Sequence, residues 1–169
     1  KSDRNLGLAG RAAVARNADA DVFVSIHFNG WDTPTVQGTE TYHHSQSNYV
    51  SRVLATRVQS AVRAATGLRD RGVKTAGFGV LRPTRHAPET AAALLEVSFI
   101  TDPAEEDRLR DDAYRDRLAM ALADGIETFL RETQELSPSL EAEMTGGDRF
   151  ESLAYEGEEP LEDAAAITE

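Results

Sequence analysis

Two short runs constrain this chain more than anything else in it. Residues 21–27 (DVFVSIH) and 91–97 (AAALLEV) are almost unbroken in apolar character, yet each is only seven residues long. Runs of that length without period-2 alternation are expected of strands covered on both faces, and the β-branched and aromatic content of the first fits a strand best. Both are therefore read as buried strands, the first as a central one.

Helical periodicity fills the intervals. Residues 5–17 place Leu6, Gly10, Ala13, Val14 and Asn17 on one side, with Ser2 or Asp3 available as a cap. Residues 48–66 carry an apolar stripe through Val50, Leu54, Val58 and Val62, and Gly67 supplies the stop. Pro103 can open a short helix whose first turn, Ala104-Glu105-Glu106, suits the positive end of its dipole. A last helix is expected over about residues 113–133, with Tyr114, Leu118, Leu122, Ile126, Phe129 and Leu130 facing inward. Residues 38–43 (GTETYH) alternate and read as a second, more exposed strand, whereas LRDRGVK at 68–74 reads as a polar turn. Strands alternating with helices predict an α/β fold: a twisted, mostly parallel sheet with helices on both faces.

Charge divides the chain. Acidic residues outnumber basic ones by 29 to 18, but ten of the 29 lie in residues 137–169 beside a single Arg. Residues 1–136 form the expected folded domain, and 137–169 an acidic, disordered tail. A net charge of −11 gives a phosphate-backbone binder no footprint, so nucleic acid is not an expected partner. No apolar run approaches the roughly 18–20 residues of a membrane span. Cysteine is absent, so a metal would have to take His, Asp or Glu.

Two residues stand out chemically. His27 ends a buried strand just before Phe28-Asn29-Gly30, where ligand crevices of open α/β sheets lie. Taken alone it reads more readily as a core-edge histidine hydrogen-bonded to backbone than as a ligand. Glu96 ends five unbroken apolar residues, where an ionised carboxylate is costly unless paired, metal-bound or aimed into a cleft. Its structural alternative is an ion pair with Arg82 or Arg85. Asn29 fits a turn or a substrate contact; Arg69, Arg71 and Lys74 fit a solvated turn or a cleft rim. His43, His44 and His86 are expected at the surface.

Read in order, ADVFVSIHFN, GTETY, GLRDRGVK and LLEVSFITDPAEE closely resemble the zinc-dependent N-acetylmuramoyl-L-alanine amidases, from Ser2 to about Leu130. The resemblance implies zinc as cofactor, His27 as one of its ligands and Glu96 as catalytic acid/base. It implies peptidoglycan as substrate, cleaved between muramic acid and L-alanine, with Asn29 and Arg71 touching it, and a periplasmic or extracellular setting in the cell envelope. The family's first strand, with its His-bearing segment, and a following Glu ligand fall upstream of residues 5–17. The chain is therefore expected to be N-terminally incomplete, to bind little zinc alone and to be inactive alone. A wall-binding domain with this fold but no activity is the alternative, as is an interaction module working through its acidic tail.

Overall fold

The second apolar run lies within β4 (Ala91–Phe99), the spine of the molecule, all nine of whose residues are buried. The computed structural model describes residues 5–145, with side chains through 134. Its sheet has four strands, completed by β1 (Val22–Asn29), β2 (Thr39–His44) and β3 (Asp70–Ala76), in the order β1-β4-β2-β3. β1 runs parallel to β4 and β3 parallel to β2, while β2 and β4 meet antiparallel, so the expected α/β class with a mostly parallel sheet holds.

Alternation along β4 separates two environments. Ala91, Ala93, Leu95 and Val97 pack against Leu54, Val58 and Val62 of α2 (Tyr49–Thr66) and against Tyr114, Leu118 and Phe129 of α4 (Asp112–Thr145). Ala92 and Leu94 join a smaller cluster with Val80 and Leu81 of a 3₁₀ turn, flanked by Leu8 of α1 (Leu8–Asn17). Helices thus lie on both faces, as predicted.

Local chemistry sets the ends of α2. Asn48 accepts the Ser51 amide at 3.1 Å, satisfying one orphan N–H of the first turn. Gly67 closes the helix in the left-handed region at φ 68°. Helix α4 crosses α2 closely at Gly125, where an added Cβ would stand 3.0 Å from the Arg57 carbonyl oxygen. Asp102 caps α3 (Pro103–Arg110) by accepting the Ala104 amide at 3.0 Å, with Pro103 in its first turn.

Several expectations are corrected. β1 is not central: it bonds β4 alone and forms an edge among the described residues, leaving Ile26 55% and Phe28 39% exposed. β2 is not exposed, because it lies between β4 and β3 with α2 across it, and Thr39, Glu40 and Thr41 are all buried. The polar segment after Gly67 is no turn but β3, whose polar side chains are held mainly by ion pairs and polar partners while Val73 packs against the core. Helix α1 begins at Leu8 with Gly7 as its cap residue, and Ser2 and Asp3 lie outside the described residues. Helix α4 continues past 133 to Thr145, crossing the boundary placed after 136, and residues 146–169 of the acidic tail lie outside the described residues.

Candidate active site

Strand register brings three ionisable residues into one row. His27 of β1 sits opposite Glu96 of β4, and Glu96 opposite Glu40 of β2. Neighbouring strands are about 4.8 Å apart. Since Leu95 faces α2 and α4, alternation turns Glu96 and its row to the other face.

Glu96 is 3% exposed, and its buried Oε2 has no hydrogen-bond partner among the described residues. Neither arginine offered as its structural partner reaches it; Arg85 instead donates to the Gly79 carbonyl at 2.8 Å. Burial, and then the nearby Glu40 charge, push the Glu96 carboxyl up to about 7. Next along the same face, Ser98 has a fully buried Oγ that also lacks a partner.

His27 is half-buried, and a ring nitrogen, Nε2, shares a 2.7 Å hydrogen bond with the Ser25 hydroxyl. Burial, and then the Arg11 charge, lower its pKa, favouring the neutral imidazole. That form is the one able to act as a metal ligand.

Glu40 is the residue that the sequence reading missed. Its Oε1 accepts from Asn29 Nδ2 at 2.9 Å and from the Tyr42 hydroxyl at 2.8 Å. Its Oε2 accepts from Arg71 Nε and Lys74 Nζ, each at 2.7 Å. Burial by itself would raise the Glu40 pKa, but the bonds from Lys74, Arg71 and Tyr42 outweigh it and hold the carboxyl below its ordinary value. The Asn29 bond runs from β1 to β2 and so spans the width of β4. Asn29 also accepts the Gly30 amide at 2.8 Å, which makes it both a turn residue and part of the cluster. Arg71 and Lys74 therefore belong to the site's edge, while Arg69 is exposed and apart from these contacts.

The remaining histidines stand elsewhere, and two are not surface residues. His86 is buried beside Phe23, with Nε2 2.8 Å from the Val80 carbonyl oxygen, and His44 is buried with Nδ1 accepting the Gln46 amide. His43 is half-buried against Ser47. An apolar recess of about 190 Å³ lies on the helix-covered side, against Ile26, Phe28 and Leu118, and touches neither His27 nor Glu96.

The zinc that the resemblance implies would need more donors than the described residues of this face supply. A catalytic zinc ordinarily takes three protein ligands. Among the described residues no group of three His, Cys, Asp or Glu is placed to hold a metal, and Glu40, the nearest further carboxylate in the row, has both oxygens engaged by other donors. His27 fits as a ligand, but the described residues alone do not make a three-ligand site.

Comparison with known proteins identifies the architecture. The family model described as N-acetylmuramoyl-L-alanine amidase matches residues 1–128. The chain belongs to that family. It is 35% identical over 131 residues to the N-acetylmuramoyl-L-alanine amidase LytC of Bacillus subtilis, covering 77% of this chain and 26% of LytC. Among solved structures, the catalytic domain of the amidase CwlV from Bacillus (Paenibacillus) polymyxa var. colistinus superposes with a TM-score of 0.69 at 37% identity, covering 77% of this chain and 69% of that one. The amidase of Clostridium difficile 630 gives a TM-score of 0.71 at 35% identity, covering 77% and 68%. The chain spans less than two thirds of these curated relatives' own length, 26% of LytC and 60% of the Bacillus subtilis protein YqiI. Its mixed sheet, with an acidic residue inside the central strand, is thus an amidase catalytic-domain fold.

Proposed function

We propose that this domain hydrolyses the amide between N-acetylmuramic acid and L-alanine in bacterial peptidoglycan, in the periplasm or outside the cell. Glu96 is the general base that takes a proton from the attacking water and returns it to the departing amine. The observation that carries this reading is the state of Glu96: a carboxylate buried in the central strand, without a hydrogen-bond partner on Oε2, and raised to about 7. A structural carboxylate buried so deeply would be paired, as Glu40 is. A proton carrier instead works best with a pKa near the ambient pH. His27, neutral and one strand away, offers one ligand to the zinc of this family, and the others are not among the described residues. Asn29 and Arg71 are assigned to the substrate side of the cleft.

The test uses the full-length protein and purified sacculi. Glu96→Gln is expected to lower stem-peptide release by about a thousand-fold, within the range for loss of a general base, while zinc content stays unchanged. His27→Ala should lower both. Unchanged release from Glu96→Gln, or loss of zinc with it, contradicts the assignment. An unaltered protein that binds sacculi and releases nothing would be the non-catalytic wall-binding domain.

A further inference from the structure

We propose that Glu40 is a positioning residue, which fixes Arg71 and Lys74 as a two-cation seat for a carboxylate on the peptide stem. The inference rests on the amidase reading above and names what lies beyond the scissile amide. One carboxylate here gathers four donors from three strands: Asn29 of β1, Tyr42 of its own β2, and Arg71 and Lys74 of β3.

The layering is what a receptor for an anion requires. The Glu40 side chain is 3% exposed, whereas those of Arg71 and Lys74 are 27% and 37% exposed, so the counter-ion lies inside and the cations face out. One negative charge meets two positive ones, leaving the cluster a net positive charge. Arg71 donates to Glu40 through Nε alone, so its two terminal amino groups, the fork that meets a carboxylate end-on, make no hydrogen bond with described residues. Lys74 spends one of its three protons on Glu40.

The path of Arg71 is built into the backbone. Gly38 has φ 132°, in the region where glycine is favoured, and an added Cβ would stand 2.5 Å from Arg71 Cδ and 2.9 Å from the Arg69 carbonyl oxygen. Only a residue without a side chain lets the arginine stem lie there. Position then narrows the anion. The Arg71 and Lys74 head groups bond Glu40, which stands opposite Glu96 in the adjoining strand. With the scissile amide at Glu96, a carboxylate on the stem residues just beyond that amide reaches the seat.

The experiment compares two probes, a muramoyl tripeptide with free stem carboxylates and the same compound with those groups as carboxamides. Their Kd values are measured on full-length protein carrying Glu96→Gln to suppress turnover. The acid form should bind about tenfold tighter, the scale of one charge-assisted hydrogen bond. Arg71→Ala, Lys74→Ala and Glu40→Gln, each added singly, should bring that ratio to within about twofold. Adding Glu40→Gln to the Arg71→Ala, Lys74→Ala pair should lower it no further, because Glu40 acts through those cations.

A purely structural Glu40 would shift the melting temperature and leave the ratio intact, and that outcome overturns the proposal. Equal binding of the two probes before the seat is altered also overturns it. If Glu40→Gln fails to fold, the two partly exposed cations carry the test, and a ratio still near ten in Arg71→Ala and Lys74→Ala overturns the proposal. Failure of the unaltered protein to cleave the amide would overturn the amidase reading instead, and the acid-to-amide ratio would still report on the seat.

Discussion

Leu95 and Glu96 are neighbours in one strand, yet they belong to opposite kinds of surface. On the Leu95 side β4 meets α2 and α4 through aliphatic and aromatic side chains, and the buried hydroxyl of Thr41 finds Gln59 at 2.8 Å. On the Glu96 side three buried polar atoms, Glu96 Oε2, Ser98 Oγ and His86 Nδ1, have no partner among the described residues. One strand therefore contributes cohesion on one face and an unsatisfied carboxylate on the other. The contrast teaches that burial does not make Glu96 part of the core: native cores satisfy their polar groups, and this face leaves a whole carboxylate open beside a half-buried imidazole.

Truncating the cohesive side should give the larger effect on folding. Leu95→Ala removes a side chain that is 1% exposed at the centre of the helix-covered cluster, and it should lower unfolding free energy by about 3 kcal/mol. Urea denaturation checks this, and a loss below about 1 kcal/mol would show that the two faces are less distinct than their packing. A smaller effect is expected at the rim of the same layer. Asn48→Ala deletes the cap of α2 and should reduce stability by about 1 kcal/mol without altering substrate binding, as read by urea denaturation and by probe affinity.

The same contrast explains what the sequence made legible. Helix α2 could be bounded closely because Asn48 and Gly67 mark its ends chemically, and β4 because seven largely apolar residues fit no exposed element. Segment β3 escaped because Asp70, Arg71 and Lys74 bond Gln59 and Glu40, partners 11 to 34 residues away, and nothing in DRGVKTA itself announces a strand. Glu40 escaped for a related reason. In TETYH it reads as the polar half of an alternating strand, and only the pairing of β2 with both β3 and β4 turns that half inward. The signal available was indirect: an acidic residue in one polar strand and a pair of cations in the next polar segment. The edge position of β1 was likewise invisible, since its apolar run resembles that of the central strand.

The central claim is that Glu96 is held buried and unpaired because it works as a carboxylate, and its own titration tests that most directly. A Glu raised from 4.5 to about 7 keeps its proton longer in the folded state than in the unfolded one. Its contribution to stability is therefore present in full below about pH 4.5 and lost as the pH rises through about 7. Urea unfolding of the unaltered protein and of Glu96→Gln should be followed from pH 4 to 8.5 in chelator, so that no metal enters the balance. The account predicts that the unaltered protein loses about 3 kcal/mol relative to Glu96→Gln between pH 4.5 and 7, and that the difference is flat above. Parallel curves across that range, or an unaltered protein that gains on the variant as the pH rises, would mean that Glu96 is paired in the folded state and would contradict the account.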